Sequence, residues 1–223
     1  MKTKTAGTLL IAGLIVFSVL AAFATPASAG SLTIYPSDDS WVDSKDPNKT
    51  HGGDLKLHVR YKNGERRRTY IKADLTGLIP EGQTITSAKL YLRKEGGDNV
   101  AWNIGAYTVS SSWTQSGITW NNAPRDFAWI STTSVGPTDG IDYCWDVTSA
   151  AQDAYAGGQP LSLALKLVDE TSVLPTERHH DFIDRSIVIT YDTVIPEFST
   201  IAIPVAAVLG LLFIFSRKRK RAE

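Results

Sequence analysis

Cysteine is nearly absent: Cys144 is the only one in 223 residues, so no disulfide can form within the chain. Set beside Trp145 in a strand-like stretch, that thiol reads as a small buried hydrophobe rather than a nucleophile. Gly-x-Ser-x-Gly, His-Glu-x-x-His and the phosphate-binding glycine loop are all missing, which excludes the chemistries those motifs carry. Between residues 30 and 195 there is no internal repeat and no low-complexity tract. Long apolar runs are confined to the two ends.

The N-terminal run explains itself by its flanks. Lys2 and Lys4 precede an apolar stretch from Leu9 to Phe23, and Ala27-Ser28-Ala29 closes it. That order is a secretory leader, 1–29, with cleavage after Ala29; a retained N-terminal anchor would need a longer run and no small-residue site. The C-terminal run, Ile201 to Phe215, leads into Arg217-Lys218-Arg219-Lys220-Arg221. Fifteen helical residues rise about 22 Å, short of the ~30 Å hydrocarbon core, and counting from Phe198 improves the fit. The basic cluster would stay cytoplasmic. The expectation is an exported domain on the outer face of the envelope, held by its C-terminus.

The stretch between the ends reads as strands. Leu55 to Tyr61, Ser87 to Arg93 and Leu161 to Leu167 alternate apolar and polar residues, and Ile187 to Tyr191 is rich in β-branched residues. Period two indicates half-buried antiparallel strands. Asn63-Gly64, Glu95-Gly96-Gly97-Asp98-Asn99 and Gly157-Gly158 break them as turns. Ser149 to Ala156 is the one helical candidate. The expected class is all-β: an antiparallel two-sheet sandwich, a jelly roll, with one short helix, over residues 30–195.

Charge is unevenly spread. Between Lys56 and Lys94 there are 10 basic residues against 3 acidic, whereas the rest of the segment from Gly30 to Pro196 holds 6 against 18. Alternation turns Leu55, Leu57, Val59 and Tyr61 inward, then Ile71, Ala73 and Leu75, then Ala88, Leu90 and Leu92. Lys56, His58, Arg60, Arg68, Tyr70, Lys72, Lys89, Tyr91 and Arg93 then point out. If the three strands share a sheet, these nine form one basic, aromatic face. Arg and Lys suit carboxylate or sulfate, and Tyr can lie against a sugar ring, so an acidic polysaccharide is the expected ligand. The alternative is that they are solubilising strand faces divided between two sheets. Nucleic acid would also suit such a face, but an exported protein seldom meets it, and no nucleic-acid partner is expected.

Other groups invite narrower readings. Asp38, Asp39 and Asp43 offer the hard oxygens that calcium takes, without the Asp-x-Asp-x-Asp-Gly order; turn capping is the competing reading, and no cofactor is required. His179-His180 beside Asp181 is the best catalytic candidate, in a setting that reads as a solvated turn. A lyase mechanism using Tyr70 or Tyr91 with His58 lacks any positioning signal, so no catalytic residue is assigned. Trp113 and Trp120 read as packing pegs. Asn48-Lys49-Thr50 is the sole N-glycosylation sequon and suits a surface loop.

Two resemblances rest on particular residues. Asp39-Ser40-Trp41-Val42-Asp43-Ser44, Arg68 to Leu78, Ile85 to Leu92, Trp113-Thr114-Gln115-Ser116-Gly117-Ile118-Thr119-Trp120-Asn121-Asn122-Ala123-Pro124 and Asp146-Val147-Thr148 follow in order. With them, residues 34 to 192 resemble the DNRLRE domain, a group that includes disaggregatase-related repeats and family-96 carbohydrate-binding modules. Ala73 stands where that group usually has Phe, and His179 to Arg185 fits it poorly. Pro196-Glu197-Phe198, the apolar run and the basic cluster resemble the PEF-CTERM sorting signal, 196–223, of archaeal surface proteins. The first resemblance implies a non-catalytic carbohydrate-binding module. The second implies removal of the tail by an archaeosortase and a replacing lipid; an ordinary membrane anchor is the alternative. A structural or adhesion domain without a sugar site, and a small polysaccharide lyase, are the competing functions.

Overall fold

The computed structural model describes residues 29–171, 177–193 and the pair 209–210. Residues 1–28 of the expected leader, and Pro196, Glu197 and Phe198 of the expected sorting motif, lie outside the described residues. Among the described residues from 29 to 193, ten strands and one helix follow in order: β1 (Ala29–Ile34), β2 (Asp38–Asp43), β3 (Leu57–Lys62), β4 (Glu65–Ala73), β5 (Gln83–Gly97), β6 (Trp102–Thr108), β7 (Ala128–Val135), β8 (Asp142–Asp146), α1 (Thr148–Ala156), β9 (Leu161–Leu167) and β10 (Arg178–Thr193). The β9 and α1 segments are those that alternation and Ala content indicate.

All pairings are antiparallel, and one sheet folds over on itself in the order β7-β6-β9-β4-β3-β10-β5-β8, with β1 on β10 and β2 on β4. The fold-over occurs at β3. Its tip pairs with the start of β4, Arg60 opposite Arg67, while its body pairs with the start of β10, His58 opposite Asp181. Beyond those contacts β4 continues along β9 and β10 continues along β1. Two layers result, and their apolar faces meet. Ile71, Leu163, Leu165 and Ile104 from one layer pack against Leu90, Leu92, Phe182, Ile187 and Ile189 from the other. The free ends nearly close the sheet: Thr133 Oγ1 on β7 donates to Cys144 O on β8 at 2.5 Å, and Trp145 Nε1 donates to Ile104 O at 2.8 Å. This is an all-β sandwich verging on a barrel.

Three local expectations change. Residues 179–185 belong to β10 and are not a turn. The pairing with β5 slips between Ile183 and Ser186, where Asp184 has φ +46°. That bulge moves the inward positions from His180 and Phe182 to Ile187 and Ile189, so no single period of two runs through the strand. Cys144 is exposed, because Trp145 takes the inward place on β8. Leu55 is 84% exposed and precedes β3, its carbonyl receiving Arg185 at 3.0 Å.

The outer face of the β2–β4–β9 layer is covered. Val42, Tyr70 and Ala164 pack against Val109, Trp113, Ile118 and Ala123 of the segment 109–127. That segment is held by its own turns: Gly117 N and Ile118 N bond to Thr114 O, and Asn122 Oδ1 accepts Thr119 N at 2.7 Å. Trp113, 5% exposed, donates its Nε1 to Ser162 Oγ at 3.0 Å, and Tyr70 donates its hydroxyl to Pro124 O at 2.9 Å. The Trp-Thr…Trp-Asn-Asn-Ala-Pro stretch is thus a plug over a second small core.

Tyr70→Phe removes one buried hydrogen bond to this plug. Stability should fall by about 1 kcal/mol, seen as a melting point roughly 2–4 °C lower.

Candidate functional site

The excess of cations between Lys56 and Lys94 is matched inside the fold by carboxylates from elsewhere in the chain. Arg60 and Lys62 share Glu177 at 2.7 and 2.8 Å. Arg67 meets Asp43 at 2.9 Å, Lys72 meets Asp38 at 3.3 Å, and Arg93 meets Asp142 at 2.9 Å. Lys94, buried, meets Asp139 and donates to Pro137 O at 2.9 Å. Arg68 grips Glu170 with two bonds of 3.1 and 2.5 Å, and Arg66 donates to Glu170 O at 3.1 Å. Partly buried pairs of this kind are costly to break from one side, because the carboxylate left behind has lost its partner.

The nine residues expected on one basic face are not brought together. Arg68, Tyr70 and Lys72 lie on one layer and Lys89, Tyr91 and Arg93 on the other, since β10 and β3 separate β4 from β5. Tyr70 is fully buried under the plug, where burial pushes its phenol up to about 12. Lys72 donates to Trp113 O at 2.5 Å beneath the same plug. Lys89 is exposed opposite Asp146, and Tyr91 is half-buried opposite Cys144. Lys56 donates to Glu95 O at 2.7 Å, and His58 contacts Asp181.

Asp38, Asp39 and Asp43 also stay apart. Asp38 accepts Gln115 N at 2.8 Å besides Lys72, Asp39 holds Arg185 at 2.9 and 2.7 Å, and Asp43 accepts Lys45 N besides Arg67. Asn48 is exposed in the loop before β3, its Oδ1 accepting Asn121 Nδ2 at 2.8 Å.

A different face combines rings with cations. Lys166 Nζ lies 4.6 Å from the Tyr107 ring centre and 5.7 Å from Phe127. Arg68 stands 5.0 Å over Phe127 and 4.9 Å over Trp120, and Arg125 stands 5.0 Å over Trp120. Tyr107 and Phe127 meet edge to face at 5.7 Å. Trp129 extends the row: it is the β7 partner of Tyr107 across the ladder and is 65% exposed. Gly105 makes the row possible, since a Cβ there would sit 2.7 Å from the Tyr107 ring.

The cations along this row differ in what neutralises them. Arg68 is bound to Glu170. Among the described residues, Lys166 and Arg125 have no carboxylate partner; Arg125 donates to Trp120 O at 2.7 Å. Burial lowers the Lys166 ammonium from its usual value while Glu170 opposes that shift. An arriving anion would therefore meet a partly desolvated cation, beside rings of which Trp129 is exposed, Phe127 and Trp120 half-buried and Tyr107 buried. Sequence alternation missed this face because its rings come from β6, β7 and the plug. Lys166, the lone cation within β9, was the available signal, and Trp120 is half-buried under two guanidinium groups rather than a wholly buried peg. An open polar cleft of about 380 Å³, lined by Asp38, His51, Asp54 and Gln115 among others, has no Trp, Tyr or Phe in its wall and offers no such platform.

The segment 179–181 divides between the two faces of β10. His179 and Asp181 point outward beside His58. His180 points inward, fully buried, with its Nε2 3.1 Å from Val135 O. Burial, aided by the Lys94 charge, lowers His180 to about 4.

Residues 31–179 match the model of carbohydrate-binding module family 96, and residues 195–219 match that of the PEF-CTERM archaeal protein sorting domain. A curated gellan lyase from a Bacillus species is 30% identical over 141 residues. The aligned part is 62% of this chain and 6% of that protein, so the chain spans only a small fraction of that relative's length.

The His180 shift sets a pH dependence. With a folded value of about 4 against the ordinary 6.5, the unfolded chain binds the proton first as pH falls. Stability should therefore be full above pH 6.5 and decline toward pH 4, with a limiting slope of about 1.4 kcal/mol per pH unit. Urea midpoints at pH 7 and pH 5 measure this, and His180→Gln should shrink the difference.

Proposed function

The chain belongs to carbohydrate-binding module family 96, and from that premise we propose that it binds an acidic polysaccharide along the Trp129–Tyr107–Phe127–Trp120 row without cleaving it. The observation that carries this reading is the pair Lys166 and Arg125, which flank those rings without a carboxylate partner among the described residues. Pyranose C–H faces would lie on Trp129 and on the accessible parts of Phe127 and Trp120, with buried Tyr107 supporting them, and glycan carboxylates would meet the two cations. Glu170 holds Arg68 in place between Phe127 and Trp120, so this guanidinium shapes the row more than it supplies free charge. The match to a gellan lyase supports a role beside polysaccharide chemistry, and the sorting-domain match supports export and display at the cell surface.

Titration with carboxylated polymers such as gellan and polygalacturonate, against neutral dextran, tests the site. Binding should favour the carboxylated polymers and weaken with added salt, because exposed ion pairs are screened. Lys166→Ala combined with Arg125→Ala should raise Kd roughly tenfold, about 1.4 kcal/mol, with little change in stability. Trp129→Ala should weaken binding to every polymer that binds. Equal, salt-independent affinity for dextran would refute the acidic preference. No binding to any polymer would favour a structural or adhesion domain, and released unsaturated product would favour a lyase.

Processing is tested separately by intact mass of the native protein. Loss of residues 1–29 and of most of the chain after Phe198 is expected. A C-terminus ending at Glu223 would replace archaeosortase handling with a retained anchor.

A further inference from the structure

On the layer away from the aromatic row, three side chains aim their donor atoms at one point. His58 on β3 is the ladder partner of Asp181 on β10, and His179 lies two residues before Asp181 on the same strand face. Their donor atoms, His58 Nδ1, His179 Nε2 and a carboxylate oxygen of Asp181, all lie within 4.8 Å of one another. Both imidazoles approach the same oxygen, Oδ1, with His179 Nε2 at 2.5 Å. That His179 nitrogen is buried, and the Asp181 carboxylate is the one group in contact with it among the described residues.

The nearby arginines are engaged elsewhere: Arg60, the ladder partner of His179, shares Glu177 with Lys62, and Arg67, over the Trp41 ring, is held by Asp43. Among the described residues Asp181 has no Lys or Arg partner; its acid-facing neighbours are the two imidazoles. Trp41 meets His58 edge to face at 4.5 Å and walls one side of the cluster. Gly96 packs closely against the Asp181 carboxylate, where a Cβ would lie 3.1 Å from Oδ2.

We propose that His58, His179 and Asp181 form a binding site for a divalent transition-metal ion of the zinc class. Two imidazole nitrogens and one carboxylate oxygen suit zinc and its neighbours, whereas calcium requires six to eight oxygens. Three protein donors on a tetrahedral ion leave a fourth position for water or an incoming oxygen ligand. The ion would tie β3 to β10 at the strand where the sheet folds over. Each imidazole would ligate through the nitrogen that now faces Asp181, its ring proton residing on the opposite nitrogen.

The assignment of nitrogens makes the test specific. The full chain, without an added histidine tag, is titrated with zinc and followed by long-range 1H–15N spectra of its four histidines. One zinc per chain should bind, with His58 metallated at Nδ1 and His179 at Nε2, while the His51 and His180 ring patterns stay as they were. His179→Ala should weaken zinc binding by at least about 100-fold, more than the loss of an outer-shell partner typically costs. No stoichiometric zinc binding, or binding that leaves the His58 and His179 patterns unchanged, would overturn the site. The spectra of the unaltered chain decide the matter even if a variant folds poorly, and their outcome is independent of glycan binding.

Discussion

Opposite charge distributed along the sequence is what the fold reunites. The stretch from Lys56 to Lys94 carries far more cations than carboxylates, and the carboxylates it lacks arrive from β2, from the β7–β8 connection and from the region just before β10. Asp43 reaches Arg67, Asp139 reaches Lys94, and Glu170 and Glu177 reach Arg68, Arg60 and Lys62. Each of these pairs joins residues distant in sequence, and several are half-buried. They hold non-neighbouring segments together, and they allow even the Arg60–Arg67 juxtaposition of the β3–β4 ladder, because each guanidinium meets a carboxylate from elsewhere in the chain. A segment that looks like a ligand-binding surface in one dimension is therefore largely consumed by the architecture in three.

The proposed ligand site draws on charge that the architecture does not use. Lys166 and Arg125 stand outside the charge-rich stretch and outside the pairing scheme, beside rings contributed by β6, β7 and the plug. The family signature in Trp113 to Pro124 has two jobs in this arrangement. Trp113, Ile118 and Ala123 anchor the plug on Tyr70 and Ala164, and Trp120 presents its face to Arg68 and Arg125. Packing in the first group fixes the position of the ring in the second.

The strands were legible where one face is apolar throughout. Leu161 to Leu167 and the inward residues Leu57, Val59, Ala88, Leu90 and Leu92 follow directly from alternation, because burial on one side is a local rule. It fails at Asp184, where a bulge changes which parity points inward, and at Leu55, where the loop has not yet become strand. The outer faces were not legible in the same way. Alternation says that Arg68, Tyr70 and Lys72 leave the main core, but only the position of residues 109–127 decides that Tyr70 enters a second one. Likewise His58 and Asp181 are brought together by a ladder between β3 and β10 that no local pattern announces.

The last strand also has a mechanical meaning. β10 is laddered to β5 along nearly its whole length and to β1 on its other edge. The residues that follow it lead to the C-terminal end. In a chain held at that end, tension drawn along β10 would load these two ladders in shear. Many hydrogen bonds would then resist together, instead of opening one after another as they would in a hairpin peeled from its tip. A domain of this build can transmit a pull through its most extensively paired strand while the opposite layer, with its row of rings, keeps its shape.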